Sequence, residues 1–250
     1  MHCTFNSEYG YFGMPSVESI REYLPEDQMD VASDGFRFHV NRHGIMEKGQ
    51  AGRLKSMEAI DLLYGGSASM PLDKLVDVSQ LLQAEAIKAA TEQARRRKYS
   101  SGGSMFWMFA DAWGEVGWSV VDHYMRKKAA YEYVRRACAP VLVSVKEEEC
   151  GLSTWIVNDT LRPLSGTLGL KLMSFDGSVR SAKLCKVHVR PNCSTCCFME
   201  RMSLMRSGEF YLAMFRWDDG SRTAENIFFF MNFRSLKMPK AVLAVSVVER

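Results

Sequence analysis

Near Pro140 the spacing of apolar residues changes from a helical to an extended period, and that change limits the architectures open to the chain. Before it, Leu75, Val76, Leu81, Leu82, Ala86, Ile87, Ala90 and Ala94 recur at three- and four-residue steps, which predicts a long amphipathic helix within residues 71–100. Ser79 is expected to cap its later part. The run Arg95, Arg96, Arg97, Lys98 suits a helix C-terminus, where carbonyl ends favour cations, and reads as a solvated helix end. Met105-Phe106-Trp107-Met108-Phe109 follows two glycines and reads as a buried parallel strand. A second helix is expected over 126–138, stopped by Pro140. Helix, strand, helix implies an α/β unit over residues 1–139. Beyond it, segments 141–145, 153–157, 166–173, 179–189, 209–217, 227–231 and 242–248 have strand content. Turn signals at Asp176-Gly177 and Asp218-Asp219-Gly220 separate some of them, which predicts an antiparallel sandwich over residues 140–250.

Composition narrows the function classes. The formal charge is +3, and apart from residues 95–98 the cations are scattered, so no nucleic-acid stripe is expected. The strongly apolar stretch 227–231 is far shorter than the ~20 residues a membrane helix needs, so no membrane association is expected. The start of the chain lacks a charged region followed by an apolar one, so no secretory signal is read there. An odd number of cysteines, 7, suggests reduced thiols and a cytoplasmic location. The sequons at Asn158 and Asn192 then read as chance matches. Cys193 and Cys196 form one Cys-x-x-Cys beside Cys197, Cys185 and His188, but no second pair stands at zinc-site spacing. These are read as core or loop thiols, with no metal and no cofactor.

Trp107, Asp111, Trp113, Glu115, Trp118 and Asp122 are denser in aromatic and acidic side chains than packing requires, and they follow a predicted parallel strand. Reactive groups of α/β folds gather at the carboxyl ends of such strands. Aromatic faces beside carboxylates suit a sugar, which stacks its C–H face and hydrogen-bonds through its hydroxyls. Trp107 and Asp111 are the functional candidates. Trp113, Trp118 and Asp122 read equally well as two packing residues and a cap. A lone Glu8, taken by itself, is an ordinary surface carboxylate.

The segment Ser7-Glu8-Tyr9-Gly10-Tyr11-Phe12-Gly13-Met14-Pro15-Ser16 resembles the nucleophile segment of the β-mannosidase branch of glycoside hydrolase family 2. Residues 107–122, Trp107-Met108-Phe109-Ala110-Asp111-Ala112-Trp113-Gly114-Glu115-Val116-Gly117-Trp118-Ser119-Val120-Val121-Asp122, followed by Arg126-Lys127-Lys128-Ala129-Ala130-Tyr131, resemble that branch's last barrel strand and helix. The match covers residues 5–145. It implies the C-terminal part of a (β/α)8 TIM barrel followed by an immunoglobulin-like β-sandwich, and a retaining exo-acting hydrolase of β-mannosides or related oligosaccharides. Glu8 would be the nucleophile, Trp107 the stacking platform, and Asp111 and Trp113 further substrate contacts. The family's acid/base lies in an Asn-Glu pair on the fourth barrel strand, and this chain has no Asn-Glu dipeptide. The expectation is therefore a fragment beginning just before the seventh strand, inactive unless the N-terminal part is supplied as a partner. Ala110 stands where the family commonly has Asn. An exo-β-glucosaminidase, an endo-β-mannosidase or a non-catalytic carbohydrate-binding or assembly module are the alternative readings.

Overall fold

The computed structural model describes residues 4–41, 55–203 and 206–239. Strand β1 (Phe5–Tyr9) pairs in parallel with β2 (Gly103–Phe106). Between them lie α1 (Val17–Arg21), α2 (Asp34–Phe38), α3 (Lys55–Leu63) and the long α4 (Leu72–Arg96), and α5 (Ala129–Ala137) follows β2. Helix α4 forms where the three-to-four periodicity placed it. Pro71 stands immediately before its first turn, Asp73 lies in that turn and Arg95 and Arg96 in the last, all as the peptide dipoles favour. Ser79 is not a cap. The helix is already formed seven residues earlier, so Ser79 is fully buried within it, donating to Val76 O at 2.9 Å and accepting from Met14 N at 3.0 Å. Helix α5 starts later than expected because residues 126–128 are held in extended bonds: Asp122 N to Arg126 O at 3.0 Å and Lys128 N to Val120 O at 2.9 Å.

Of the apolar run 105–109 only Met105 and Phe106 belong to the parallel strand β2, and that strand is not buried. Phe106 turns towards α4, whereas Met105, Trp107 and Phe109 are 52, 50 and 58% exposed. A strand shows alternate residues to opposite faces, and among the described residues only the α4 face of this two-stranded sheet is covered.

The second half is a sandwich of two antiparallel sheets. One has the order β3 (Val141–Glu148), β4 (Gly151–Asn158), β7 (Cys193–Arg201); the other runs β6 (Val179–Val189), β5 (Leu164–Ser174), β8 (Glu209–Trp217), β9 (Thr223–Phe229). Val143, Ile156, Leu168, Leu170, Tyr211 and Phe215 fill the space between them. The expected turns occur, with Gly177 and Gly220 at φ +88° and +68°, values that favour glycine. The proposed strand at 242–248 lies outside the described residues. Strand β7 is an addition to the expected set, and it carries the cysteine cluster. Cys193, Cys196 and Cys197 are partly buried on it, and burial pushes the Cys197 thiol up to about 11. Among the described residues, no helix is long and apolar enough to cross a membrane.

The cationic run at the end of α4 is not a solvated helix end. Arg95, Arg96 and Lys98 keep only 13, 12 and 17% side-chain exposure. They dock on the sandwich because carboxylates and hydroxyls there meet them: Arg95 and Lys98 pair with Asp159 at 2.9 and 2.5 Å, and Arg96 donates to Ser144 Oγ at 2.5 Å. At the centre of this junction Glu92, 3% exposed, accepts from Ser144 Oγ at 2.6 Å and Asn226 Nδ2 at 2.8 Å. Lys88 and Arg96 flank it at 3.5 and 3.7 Å. Removing one member of a buried charged cluster leaves the others uncompensated, at a cost of about 3–5 kcal/mol. Glu92→Ala is therefore expected to lower stability by that amount and to split a single urea transition, followed by tryptophan fluorescence and circular dichroism, into two. Coincident transitions with unchanged midpoint would contradict this role.

Candidate functional site

Phe106 pairs with Tyr9, and Trp107 N donates to Tyr9 O at 2.6 Å, so Glu8 and Trp107 stand at the carboxyl ends of neighbouring parallel strands. Tyr9 faces α4, where its hydroxyl lies 2.6 Å from Thr91 Oγ1. The pairing slips between Asn6 and Tyr9, which match Ser104 and Phe106, so β1 has one residue more than β2 there. Such a bulge re-aims side chains. Here it leaves Ser7 and Glu8 both exposed, as Trp107 is on the neighbouring strand end. No described residue hydrogen-bonds or ion-pairs with the Glu8 carboxylate. The strands approach closely just beyond: a Cβ on Gly10 would fall 2.2 Å from Trp107 O and 3.0 Å from the Trp118 ring, so only glycine fits.

The other predicted residues are placed differently. Trp113 is 42% exposed, stacks on His39 with centroids 4.9 Å apart, and donates from Nε1 to Glu115 Oε2 at 3.1 Å. Asp111 is buried: its side chain is 0% exposed and Lys128, 1% exposed, lies 3.8 Å away. Ser119 Oγ donates to Asp111 Oδ2 at 2.5 Å, and Asp111 Oδ1 is buried without a hydrogen-bond partner among the described residues. Asp111 thus acts on the loop that carries it and does not reach the exposed face. Burial, before any other cause, pushes its carboxyl up to about 6, and burial pulls the Lys128 ammonium down to about 8. Desolvation of the two buried groups outweighs their mutual attraction. Asp122 does cap, though a turn and not a helix, accepting from Tyr124 N at 3.0 Å, Arg126 N at 2.9 Å and Ser19 Oγ at 2.5 Å. Trp118 packs against the core.

Sequence reasoning missed the residues that hold the two loops in place. Gln83, fully buried on α4, donates from Nε2 to Tyr11 O at 2.9 Å and to Trp118 O and Ser119 O at 3.0 Å each. Gln80 donates to Met14 O at 3.0 Å and accepts from Ala129 N at 2.9 Å. Lys128 Nζ donates to Gly13 O at 2.7 Å. The available signal was Ser79, Gln80 and Gln83 interrupting the apolar stripe of an otherwise amphipathic helix.

An exposed carboxylate beside an exposed indole at strand ends can attack and stack against a sugar, and the comparisons bear on that chemistry. Residues 151–234 match the family model described as the mannosidase Ig/CBM-like domain. The β-mannosidase B of Aspergillus flavus is 26% identical over 264 residues, covering 98% of this chain and 30% of the relative. That of Aspergillus niger is 28% identical over 188 residues, covering 69% and 21%. The crystal structure of the β-D-mannosidase of Dictyoglomus thermophilum superposes with a TM-score of 0.83 at 26% identity, covering 94% of this chain and 28% of that one.

The chain is homologous to the β-mannosidases of glycoside hydrolase family 2.

Its sandwich is the immunoglobulin-like domain of that group. An exo-chitosanase from Amycolatopsis orientalis, at 20% identity and a TM-score of 0.70, shares the fold. The chain spans about a fifth to a third of the length of these relatives, between 21 and 30%.

The buried pair has a pH signature. A carboxyl whose folded value lies above its unfolded one of about 3.9 stabilises the fold fully below that pH, and the contribution is lost as pH rises through about 6. Melting temperatures of the wild type relative to Asp111→Asn are expected to fall between pH 4 and 6 and then level off. A difference that is flat or rises over that window would contradict the burial of Asp111 as the dominant cause.

Proposed function

We propose that this polypeptide supplies the nucleophile-bearing part of a retaining exo-β-mannosidase-like hydrolase acting on terminal β-linked mannose. What supports the reading is that Glu8 and Trp107 are both exposed and lie at adjacent parallel strand ends, in a homologue of β-mannosidases. In this reading β1 and β2 are the seventh and eighth strands of a (β/α)8 barrel. The Glu8 carboxylate attacks the anomeric carbon, the glycosidic bond breaks, and a covalent glycosyl-enzyme forms. Water, deprotonated by the second carboxyl, then attacks the same carbon from the opposite face, which the aglycone has left, and Glu8 departs as a carboxylate with the configuration retained. Trp107 stacks on the sugar, and Trp113 borders the site with one face already held by His39.

Double displacement needs a second carboxyl about 5–5.5 Å from the first, acting as acid and then as base. Glu8 alone cannot serve both roles, and the Asn-Glu pair of the family is absent from the sequence. The reading therefore assigns the acid/base to polypeptide beyond this chain and expects the chain alone to be inactive. General acid catalysis is worth roughly 10²- to 10⁴-fold, and a pocket open on one side adds to the loss.

Two measurements test this. The purified chain is expected to show no turnover of nitrophenyl β-mannoside; ordinary exo-glycosidase rates that vanish in Glu8→Gln would overturn the assignment of the acid to another polypeptide. Co-expression with the complementary part of an intact relative is expected to restore turnover. In that hybrid Glu8→Ala should abolish activity and azide should partly rescue it by attacking from the vacated face. Trp107→Ala should mainly weaken sugar binding, by on the order of 1 kcal/mol. An active hybrid indifferent to Glu8→Ala would end the nucleophile assignment.

A further inference from the structure

A cavity of about 300 Å³ lies at the amino end of β2, away from Glu8 and Trp107 at the carboxyl ends of the strands. There the last turn of α4 faces the sandwich, and the walls include Arg95, Lys98, Ser101, Ser104, Cys138 and Asp159. Gly102 also lines it, and Gly102, Cys138 and Asp159 are exposed, so the cavity is reached from solvent. Its walls hold more donors than acceptors. Arg95 spends two of its five N–H donors, on Ala137 O and Asp159 Oδ2, and Lys98 spends one of its three, on Asp159 Oδ1. With 13 and 17% side-chain exposure, both cations are largely shielded from bulk water, and an unspent donor in such a place is costly. The Ser101 and Ser104 hydroxyls have no hydrogen-bond partner among the described residues.

These walls define a guest. Among the described residues Asp159 is the one carboxylate lining the cavity, so two cations and one anion leave a net positive charge. The end of α4 does not cancel it with free carbonyls, since Ala94 O, Arg95 O and Arg97 O already accept from Arg97 N, Lys98 N and Ser101 N. Cationic N–H groups and hydroxyls converge from a helix end, a loop and a strand start, which suits an anion with acceptors on several sides. A carboxylate offers two oxygens in one plane, whereas a phosphate group offers three or more in a tetrahedron. A water takes roughly 30 Å³ of the liquid, so a cavity of this size admits a phosphate group and leaves space beside it for a substituent.

We propose that this cavity binds a phosphate group, with Arg95, Lys98 and the Ser101 and Ser104 hydroxyls donating to its oxygens. The proposal is independent of the glycosidase reading. It is tested on the full chain at constant ionic strength by calorimetric titration and by the rate at which iodoacetamide modifies Cys138, read by peptide mass spectrometry. Exposed Cys150, which does not line the cavity, is the reference. Saturating inorganic phosphate is expected to slow modification of Cys138 about threefold or more and to leave Cys150 unchanged, whereas acetate and chloride slow neither. Phenyl phosphate tells the two sources apart: tighter binding than phosphate marks an ester as the ligand, weaker binding the free ion, and both support the site. Gly102→Asp sets a carboxylate on the wall where a Cβ would have only Thr4 O nearby, at 3.6 Å. It is expected to weaken phosphate binding about tenfold or more with the melting temperature unchanged, while Gly102→Ala binds as the wild type does. Lys98→Met is expected to weaken binding to a similar extent. Absence of binding by both phosphates, equal protection of Cys138 by acetate, or binding that survives Gly102→Asp and Lys98→Met would overturn the proposal.

Discussion

Both loops that carry the candidate site hang from side chains of one helix. Irregular backbone that is buried must still satisfy its N–H and C=O groups, and the loops after β1 and β2 cannot do so with each other alone. Ser79, Gln80 and Gln83 of α4 provide the partners: Met14 N and O, Tyr11 O, Trp118 O and Ser119 O all bond to these three residues. Because one amide, that of Gln83, serves carbonyls of both loops, the position of Glu8 relative to Trp107 is set by the helix as much as by the two strands. Gly13 completes the arrangement, donating to Gly117 O at 3.1 Å and accepting from Lys128 at 2.7 Å.

Lys128 gains little as a charge pair. At 3.8 Å from Asp111, with both groups almost wholly buried, its attraction is offset by desolvation of both ions. What the pair adds is geometry, since Lys128 spans the loop of β1 through Gly13 and that of β2 through Asp111. The same helix that organises the site also ties it to the sandwich. Its 25 residues extend about 37 Å, with Ser79 and Gln83 near the loops and Glu92 to Arg96 at the sandwich. The buried Glu92 cluster thus joins an element of the site to the immunoglobulin-like domain.

Helix α4 and strands β3, β4, β5, β6 and β8 lie within a few residues of their expected places, and β5 and β8 show the alternation of a strand with one face on a core, whereas β4 is buried on both faces and β6 is mostly exposed. Strand β7 escaped because Cys193-Ser194-Thr195-Cys196-Cys197 has neither an alternating pattern nor a run of β-branched residues. The basic run was misread for a related reason: local sequence shows a helix end with cations, but not that Asp159 and Ser144, some 50 to 60 residues away, fold back to meet them. At the site, the motif resemblance picked out Glu8 and Trp107, which lie exposed at the ends of adjacent parallel strands. The motif named Asp111 but not its burial or its pairing with Lys128, because the partner lies 17 residues on and is brought near only by the fold.

If α4 fixes both loops together, hydrogen exchange on Gln83→Leu will show it. The variant keeps the helix and the volume but removes the shared donor. Amides of residues 11–14 and of residues 117–121 are expected to lose protection in parallel, while strands β3 to β9 keep theirs. Loss confined to one loop, or protection unchanged in both, would contradict it.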